Sequence, residues 1–242
     1  MKKFFTAFSL VEMLITLGIM SVVMLITTLT LNTIVKTSAI AKYKTVTRHE
    51  IDFAIELMDR LLSDSNIADV FVFDTTEVRY YDPLLDKVVN DPGLSEEEIV
   101  DVYSSELELG VSGNEIHIRP YGYSIWVCIG YFTEEVESII GSSTKEGEKP
   151  KGYLVKRTMT TLGDEGHVSC FDQSVSPTLL VLNSQEVNVT NFKVSYIQSA
   201  SNNNVFYVDL TMEPVYWVAN SSTIEKTVFR QAVITTQGLT WY

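Results

Sequence analysis

The stretch MLITLGIMSVVMLITTLTLNTIV, residues 13–35, decides the architecture of this chain: 23 consecutive residues without a charge, mostly Leu, Ile, Val, Met and Thr. At about 1.5 Å rise per residue a helix of that length reaches roughly 34 Å, enough to cross a hydrocarbon core of about 30 Å. It exceeds the apolar core of a secretory signal peptide, about 7–15 residues, and no small-residue cleavage site follows it. Its plainest reading is a single-span anchor. Glu12 is the one charged residue between Lys3 and Lys36. A carboxylate costs about 2.5–3.5 kcal/mol at the centre of a bilayer and less near the interface, where Glu12 falls, but it still calls for a partner.

Outward from this run the chain changes character. Its 242 residues carry 18 Lys plus Arg against 31 Asp plus Glu, a net charge of −13, yet the mean hydropathy is positive. So acidic a chain repels phosphate and lacks the electrostatic footprint of a nucleic-acid binder. An aromatic content of 11% argues against disorder. Beyond Lys36 the helical pattern continues: Ile51, Ala54, Ile55, Met58, Leu61 and Leu62 recur at three- and four-residue spacing and form one apolar stripe. His49, Glu50, Asp52, Glu56, Asp59 and Arg60 occupy the other faces, and no Gly or Pro interrupts Ile19 to Asp82. The pattern predicts a nearly continuous helix from about Ser9 to Ser63, its stripe packed on a following sheet.

From Ile67 the chain becomes strand-rich. The expected strands are Ile67 to Phe73, Glu77 to Tyr81, Glu115 to Arg119, Ser124 to Phe132, Tyr153 to Thr160, Thr178 to Leu182, Val187 to Gln198, Val205 to Tyr216 and Phe229 to Thr236. Asn202-Asn203-Asn204 reads as a hairpin turn between two long strands. An acidic insertion, Asn90 to Glu108, opens Asp91-Pro92-Gly93, and its Ser95 and Glu98 fit a capping box at the start of a short helix. Glu96, Glu97 and Glu98 read as a solvated face, and Gly141 to Gly152 as a polar loop. There is no internal repeat.

The N-terminal residues Lys2-Lys3-Phe4-Phe5-Thr6-Ala7-Phe8-Ser9-Leu10-Val11-Glu12 resemble the class III leader of type IV pilins and pseudopilins. The resemblance implies cleavage by a prepilin peptidase between Ala7 and Phe8, N-methylation of Phe8, and retention of the apolar helix. Ala7 stands where the family prefers Gly, and the chain lacks the Pro that many major pilins carry in the apolar segment. Phe8 and Glu12 then become the assembly pair. Glu12 lies one turn from the new amine of Phe8, and in a staggered bundle its carboxylate can meet the amine of a neighbour and set the register; pairing with its own amine is the alternative. The segments Val189 to Tyr196 and Val205 to Met212 look like the C-terminal hairpin of larger minor pilins and pseudopilins.

The fold so implied is α+β and pilin-like, with a leader (1–7), a membrane-spanning or filament-core helix (8–35), its amphipathic continuation (36–65) and an antiparallel β-rich extracytoplasmic domain (66–242). The function implied is that of a minor pilin or pseudopilin of the bacterial cytoplasmic membrane, single-pass, with other pilin subunits and the peptidase as partners and no enzymatic activity or cofactor of its own. The size of the globular part, about 180 residues, favours a minor subunit over a major one. Pilus biogenesis, type II secretion and competence all remain open. Without Lys2 and Lys3, 16 cations face 31 acids, −15, which disfavours nucleic acid as a target. One count runs the other way: Lys36, Lys42, Lys44 and Arg48 follow the span and only Lys2 and Lys3 precede it, and a positive-inside count alone would keep the β domain in the cytoplasm. Long domains translocate largely regardless of such charges.

Candidate chemistry is sparse. Cys128 and Cys170 either form a disulfide closing a loop of about 40 residues, worth about 3–4 kcal/mol, or Cys128 is a buried thiol within the apolar run Ile125 to Ile129. His49, His117 and His167 are scattered, and His49-Glu50 lacks the second His of a zinc-protease helix. His167 and Cys170 make neither a dyad nor a zinc site, so no metal is expected. Gly110-Val111-Ser112-Gly113 lacks the spacing of a nucleophile elbow and reads as a turn. The Gly163-Asp164-Glu165-Gly166 loop offers too few carboxylates for a calcium cage. Asn188 and Asn220 open glycosylation sequons. The rival class is a membrane-anchored extracytoplasmic sensor or enzyme, which requires no processing after Ala7.

Overall fold

No Pro interrupts the chain from Leu10 to Ser63, and one helix results: α1, Leu10–Ser63, 54 residues and about 80 Å long. The computed structural model describes residues 9–76, 78–91, 112–134, 150–160, 170–171, 179–198, 204–216 and 226–236. In the first half of α1 every residue from Leu10 to Ser38 is exposed. In the second half Thr47, Ile51, Ala54, Met58 and Leu62 are buried at three- and four-residue spacing. Ile55 and Leu61 of the expected stripe are partly buried at its margins. Asp64 caps the C-terminus, its N–H donating to the Arg60 carbonyl, and the Ser65 hydroxyl donates to the Leu62 carbonyl at 2.9 Å. The chain passes straight from the helix into a strand.

Among the described residues eleven strands follow: β1 Ser65–Phe73, β2 Arg79–Asp82, β3 Lys87–Asn90, β4 Ser112–Gly113, β5 Glu115–Pro120, β6 Ile125–Thr133, β7 Gly152–Thr160, β8 Leu179–Val181, β9 Val187–Gln198, β10 Asn204–Pro214 and β11 Val228–Thr235. All pair antiparallel, as a five-stranded sheet β1-β5-β6-β7-β8, a four-stranded sheet β11-β10-β9-β4 and the hairpin β2-β3. The class is α+β, a long N-terminal helix packed on antiparallel sheets.

The buried stripe of α1 joins one core with side chains of both larger sheets, among them Val70, Ile116, Ile118, Ile129 and Leu154 from the first and Phe192, Phe206, Leu210 and Ile234 from the second. The other face of the five-stranded sheet carries a second cluster, with Trp126, Cys128, Phe132, Val155, Cys170 and Phe171. Strand β6 is therefore covered on both faces: Val127 and Ile129 point into one cluster, Trp126 and Cys128 into the other. Two-sided burial explains why its sequence is an unbroken apolar run rather than an alternation.

Strands β9 and β10 pair from Gln198–Asn204 to Val187–Pro214, with a bulge that leaves Thr190 between two paired residues. Asn204 is the first residue of β10; Asn202 and Asn203 lie outside the described residues, as do Pro92 to Glu108 of the acidic insertion and Gly141 to Lys149 of the polar loop. Two expectations are corrected. Asn90 is expected to open the acidic insertion and Lys87 to Val89 carry no expected element, but Lys87–Asn90 is a strand that pairs with Arg79–Asp82 across a tight turn. Asp82 Oδ1 organises that turn by accepting from Leu84 N–H at 2.8 Å and Leu85 N–H at 3.2 Å. The second correction concerns Gly110 to Gly113, read as a turn: Ser112–Gly113 instead pairs with Ser195 and Val194. A Cβ on Gly113 would stand 2.0 Å from the Phe73 carbonyl oxygen, so this crossing of the two sheets admits glycine alone.

The two halves of α1 should respond oppositely to truncation. Met58→Ala should lower the stability of the domain by about 2–5 kcal/mol, whereas Ile26→Ala should leave its unfolding midpoint unchanged, both measured by urea unfolding of the detergent-solubilised chain with near-UV circular dichroism.

Candidate functional site

From Leu10 to Val35 seventeen large apolar side chains are each at least 55% exposed, on every side of the helix. Hydrating that surface rather than burying it costs on the order of 20 kcal/mol, more than the whole stability of an ordinary domain. By length and composition α1 is long and apolar enough to cross a membrane. Its threonines fit the same setting. Thr27, Thr28, Thr30 and Thr33 each donate their hydroxyl to the carbonyl four residues back, at 2.8–2.9 Å, and Thr16 and Ser21 bond to carbonyls within the preceding turn. Hydroxyls satisfied inside the helix can enter hydrocarbon without leaving orphaned donors.

At the helix start the sole acid of the span is committed. Ser9 is the N-cap, in extended conformation, and its Oγ accepts from Val11 N–H at 3.3 Å. The Ser9 N–H in turn donates to Glu12 Oε2 at 3.0 Å, which closes a capping box. The Glu12 carboxylate thus lies at the positive end of the helix dipole, beside the point where the chain enters the helix. The Ser-x-x-Glu spacing noted at Ser95 and Glu98, which lie outside the described residues, recurs at Ser9 and Glu12 and is the signal by which this box is legible. Ala7 and Phe8 also lie outside the described residues.

Past the span, Lys36, Lys42 and Arg48 are exposed and Lys44 is half-buried. Farther into the domain the sheets gather a buried polar network that no sequence pattern announced. Glu115 is fully buried; its Oε2 accepts from the Thr75 hydroxyl at 2.8 Å, its Oε1 is 2.7 Å from His117 Nε2, and the Arg79 guanidinium stands 3.8 Å away. Asn114 Oδ1 accepts from Thr75 N–H at 2.7 Å, and Asn114 Nδ2 donates to the Tyr131 carbonyl at 2.7 Å. Burial pushes the Glu115 carboxyl up, but the His117 hydrogen bond, the Arg79 charge and the Thr75 hydroxyl outweigh it and hold the group below its ordinary range. Glu115 is therefore an ionised, fully partnered anion in the core.

Cys128 and Cys170 are bonded to each other, Cα to Cα 6.4 Å, and both are fully buried. A ring nitrogen of His117 lies within 4.8 Å of the sulfurs, and the imidazole packs edge-on to Phe73 at 4.9 Å. The structure therefore brings His117 to Cys170, while His167 lies outside the described residues. With the sulfurs joined they offer no thiolate, so this trio is a structural staple beside an imidazole rather than a ligand set. His49 is exposed on the helix, far in sequence and setting from His117. Asn188 is occupied by the fold: its Oδ1 accepts from Gly152 N–H at 2.7 Å. Asn220 and Gly163 to Gly166 lie outside the described residues.

Compared with known proteins, the chain matches no family model, no curated protein and no solved structure.

The buried network has a signed consequence. Because its folded-state pKa is depressed, Glu115 contributes stability in full above about pH 4.5, the ordinary glutamate value, and loses it as pH falls through the lower folded value. Glu115→Gln should cost about 3–5 kcal/mol at neutral pH by removing the buried carboxylate that His117, Thr75 and Arg79 face. The variant should also show a shallower loss of stability below pH 4.5 than the parent chain in thermal melts.

Proposed function

We propose that the chain is a minor type IV pilin or pseudopilin, trimmed between Ala7 and Phe8 and assembled through its N-terminal helix into a pilus or pseudopilus. The observation that carries the proposal is the division of α1: an apolar half exposed on all sides, fronted by Ser9 and Glu12, and a lower half buried along one stripe in an antiparallel β domain. A protein with this build needs an apolar environment for one half and water for the other. Lipid supplies the first before assembly, and a bundle of identical helices supplies it afterwards.

Glu12 suits the assembly role. A carboxylate has acceptor sites on both oxygens, and the single bond from Ser9 N–H holds the group at the helix tip with capacity for a second donor. In the proposed filament that donor is the amine of a neighbour's Phe8, and each unpaired charge in the apolar bundle would be relieved only at the correct axial stagger. The buried disulfide supports an oxidising compartment for the β domain. It thereby favours the leader's topology, N-terminus inside and domain outside, over the count of Lys36, Lys42, Lys44 and Arg48. Movement of the filament falls to other proteins.

Two outcomes test this. Mass spectrometry of the membrane-extracted protein should find a mature N-terminus at Phe8 carrying one added methyl; an intact Met1 or a cut elsewhere contradicts processing. Glu12→Val should leave the protein in the membrane and abolish its recovery in sheared filaments or cross-linked oligomers, whereas unchanged incorporation contradicts the salt-bridge role even with cleavage at Ala7 established.

A further inference from the structure

Charge on this chain is segregated rather than mixed. Residues 13–49 contain Lys36, Lys42, Lys44 and Arg48 and no Asp or Glu, while residues after Arg48 hold 12 cations against 30 acids, a net −18. The four cations begin at Lys36, the residue that follows the apolar run. Lys36 and Lys42 are exposed, Lys44 is half-buried, and the buried stripe of the helix starts only at Thr47. Packing of the stripe therefore does not account for the charges at Lys36 and Lys42.

Position along the helix says what it can reach. Lys42 and Lys44 stand about 9 and 12 Å beyond Lys36, and Arg48 about 18 Å. The Debye length at physiological salt is about 8 Å, and a lysine stem lets its ammonium reach back toward a polar boundary. If Lys36 marks the headgroup layer, Lys36, Lys42 and Lys44 lie in its field and Arg48 lies beyond it. A neighbouring copy's acidic domain is a poorer fit. Cations serving that contact would continue along α1 beyond Arg48, but there Glu50, Asp52, Glu56 and Asp59 stand against Arg60 alone, and Arg230 from β11 already pairs with Asp52 at 2.9 Å.

We propose that Lys36, Lys42 and Lys44 form a collar that binds anionic phospholipid headgroups on the leaflet facing the β domain. The collar fixes the depth of the span and offsets the repulsion between that surface and the acidic domain above it. This rests on α1 spanning a bilayer and is independent of cleavage or assembly.

The test uses the full chain reconstituted in phosphatidylcholine vesicles with a trace of spin-labelled phosphatidylglycerol or spin-labelled phosphatidylcholine, the motionally restricted fraction being read by electron paramagnetic resonance. The label on phosphatidylglycerol should be preferred about threefold at about 10 mM salt, and the preference should vanish at about 1 M. A K36Q/K42Q/K44Q variant should show no preference, and R48Q should keep it. No preference in the parent chain, a preference that survives in the triple variant, or an equal loss in R48Q each overturns the collar. The vesicle flotation that precedes the measurement separates the two readings: a chain that does not float with the vesicles overturns the span as well as the collar, and a floating chain without selectivity overturns the collar alone.

Discussion

A single helix has to satisfy two solvents, and the rest of the molecule follows from that constraint. Residues 10–38 of α1 are exposed, with apolar side chains on every side, and Thr47 to Leu62 are buried along one stripe, with no break in the helix between. The β domain is built around the lower half: Ile51, Ala54, Met58 and Leu62 complete a core to which both larger sheets contribute. The helix therefore transmits position rigidly. Whatever holds its upper half in lipid or among other helices also places the β domain, because no hinge residue lies between them.

Polar chemistry within the domain is arranged so that this placement is firm. Glu115, Arg79, His117, Thr75 and Asn114 tie the start of β5 to the segment between β1 and β2, and the Cys128–Cys170 bond fastens the second apolar cluster beside them. A buried anion with a full set of partners is worth little as net stability, but removing one partner is costly, so such a network enforces a particular arrangement of strands. Thirty of the 31 acids follow Arg48, four cations and no acid occupy the neck from Lys36 to Arg48, and the span carries one carboxylate that its own N-cap holds.

Much of the fold was legible because its signals are periodic. The stripe at Ile51, Ala54, Met58 and Leu62 has a helical spacing that nothing interrupts, and β9 was read with its observed bounds from alternation alone. What escaped was what periodicity does not encode. β3 has four residues and β4 two, too short to alternate, and β4 exists because Gly113 lets two backbones approach. The Glu115 network reaches back 36 to 40 positions to Arg79 and Thr75, and its members look like ordinary surface residues in sequence. The Ser-x-x-Glu spacing of a capping box is present at Ser9 and Glu12, but the leader resemblance directs the Glu12 carboxylate to an amine, a neighbour's or its own, rather than to the Ser9 N–H.

The central claim is that α1 belongs to two environments and that the β domain owes nothing to the upper half. The most direct measurement compares the full chain with one beginning at Lys36, by detergent phase partition and by thermal unfolding. The account requires the full chain to enter the detergent phase and the shortened one the aqueous phase, with the same unfolding midpoint for the β domain. A shortened chain that unfolds at lower temperature or aggregates would show that residues before Lys36 belong to the domain's own core, and would contradict it.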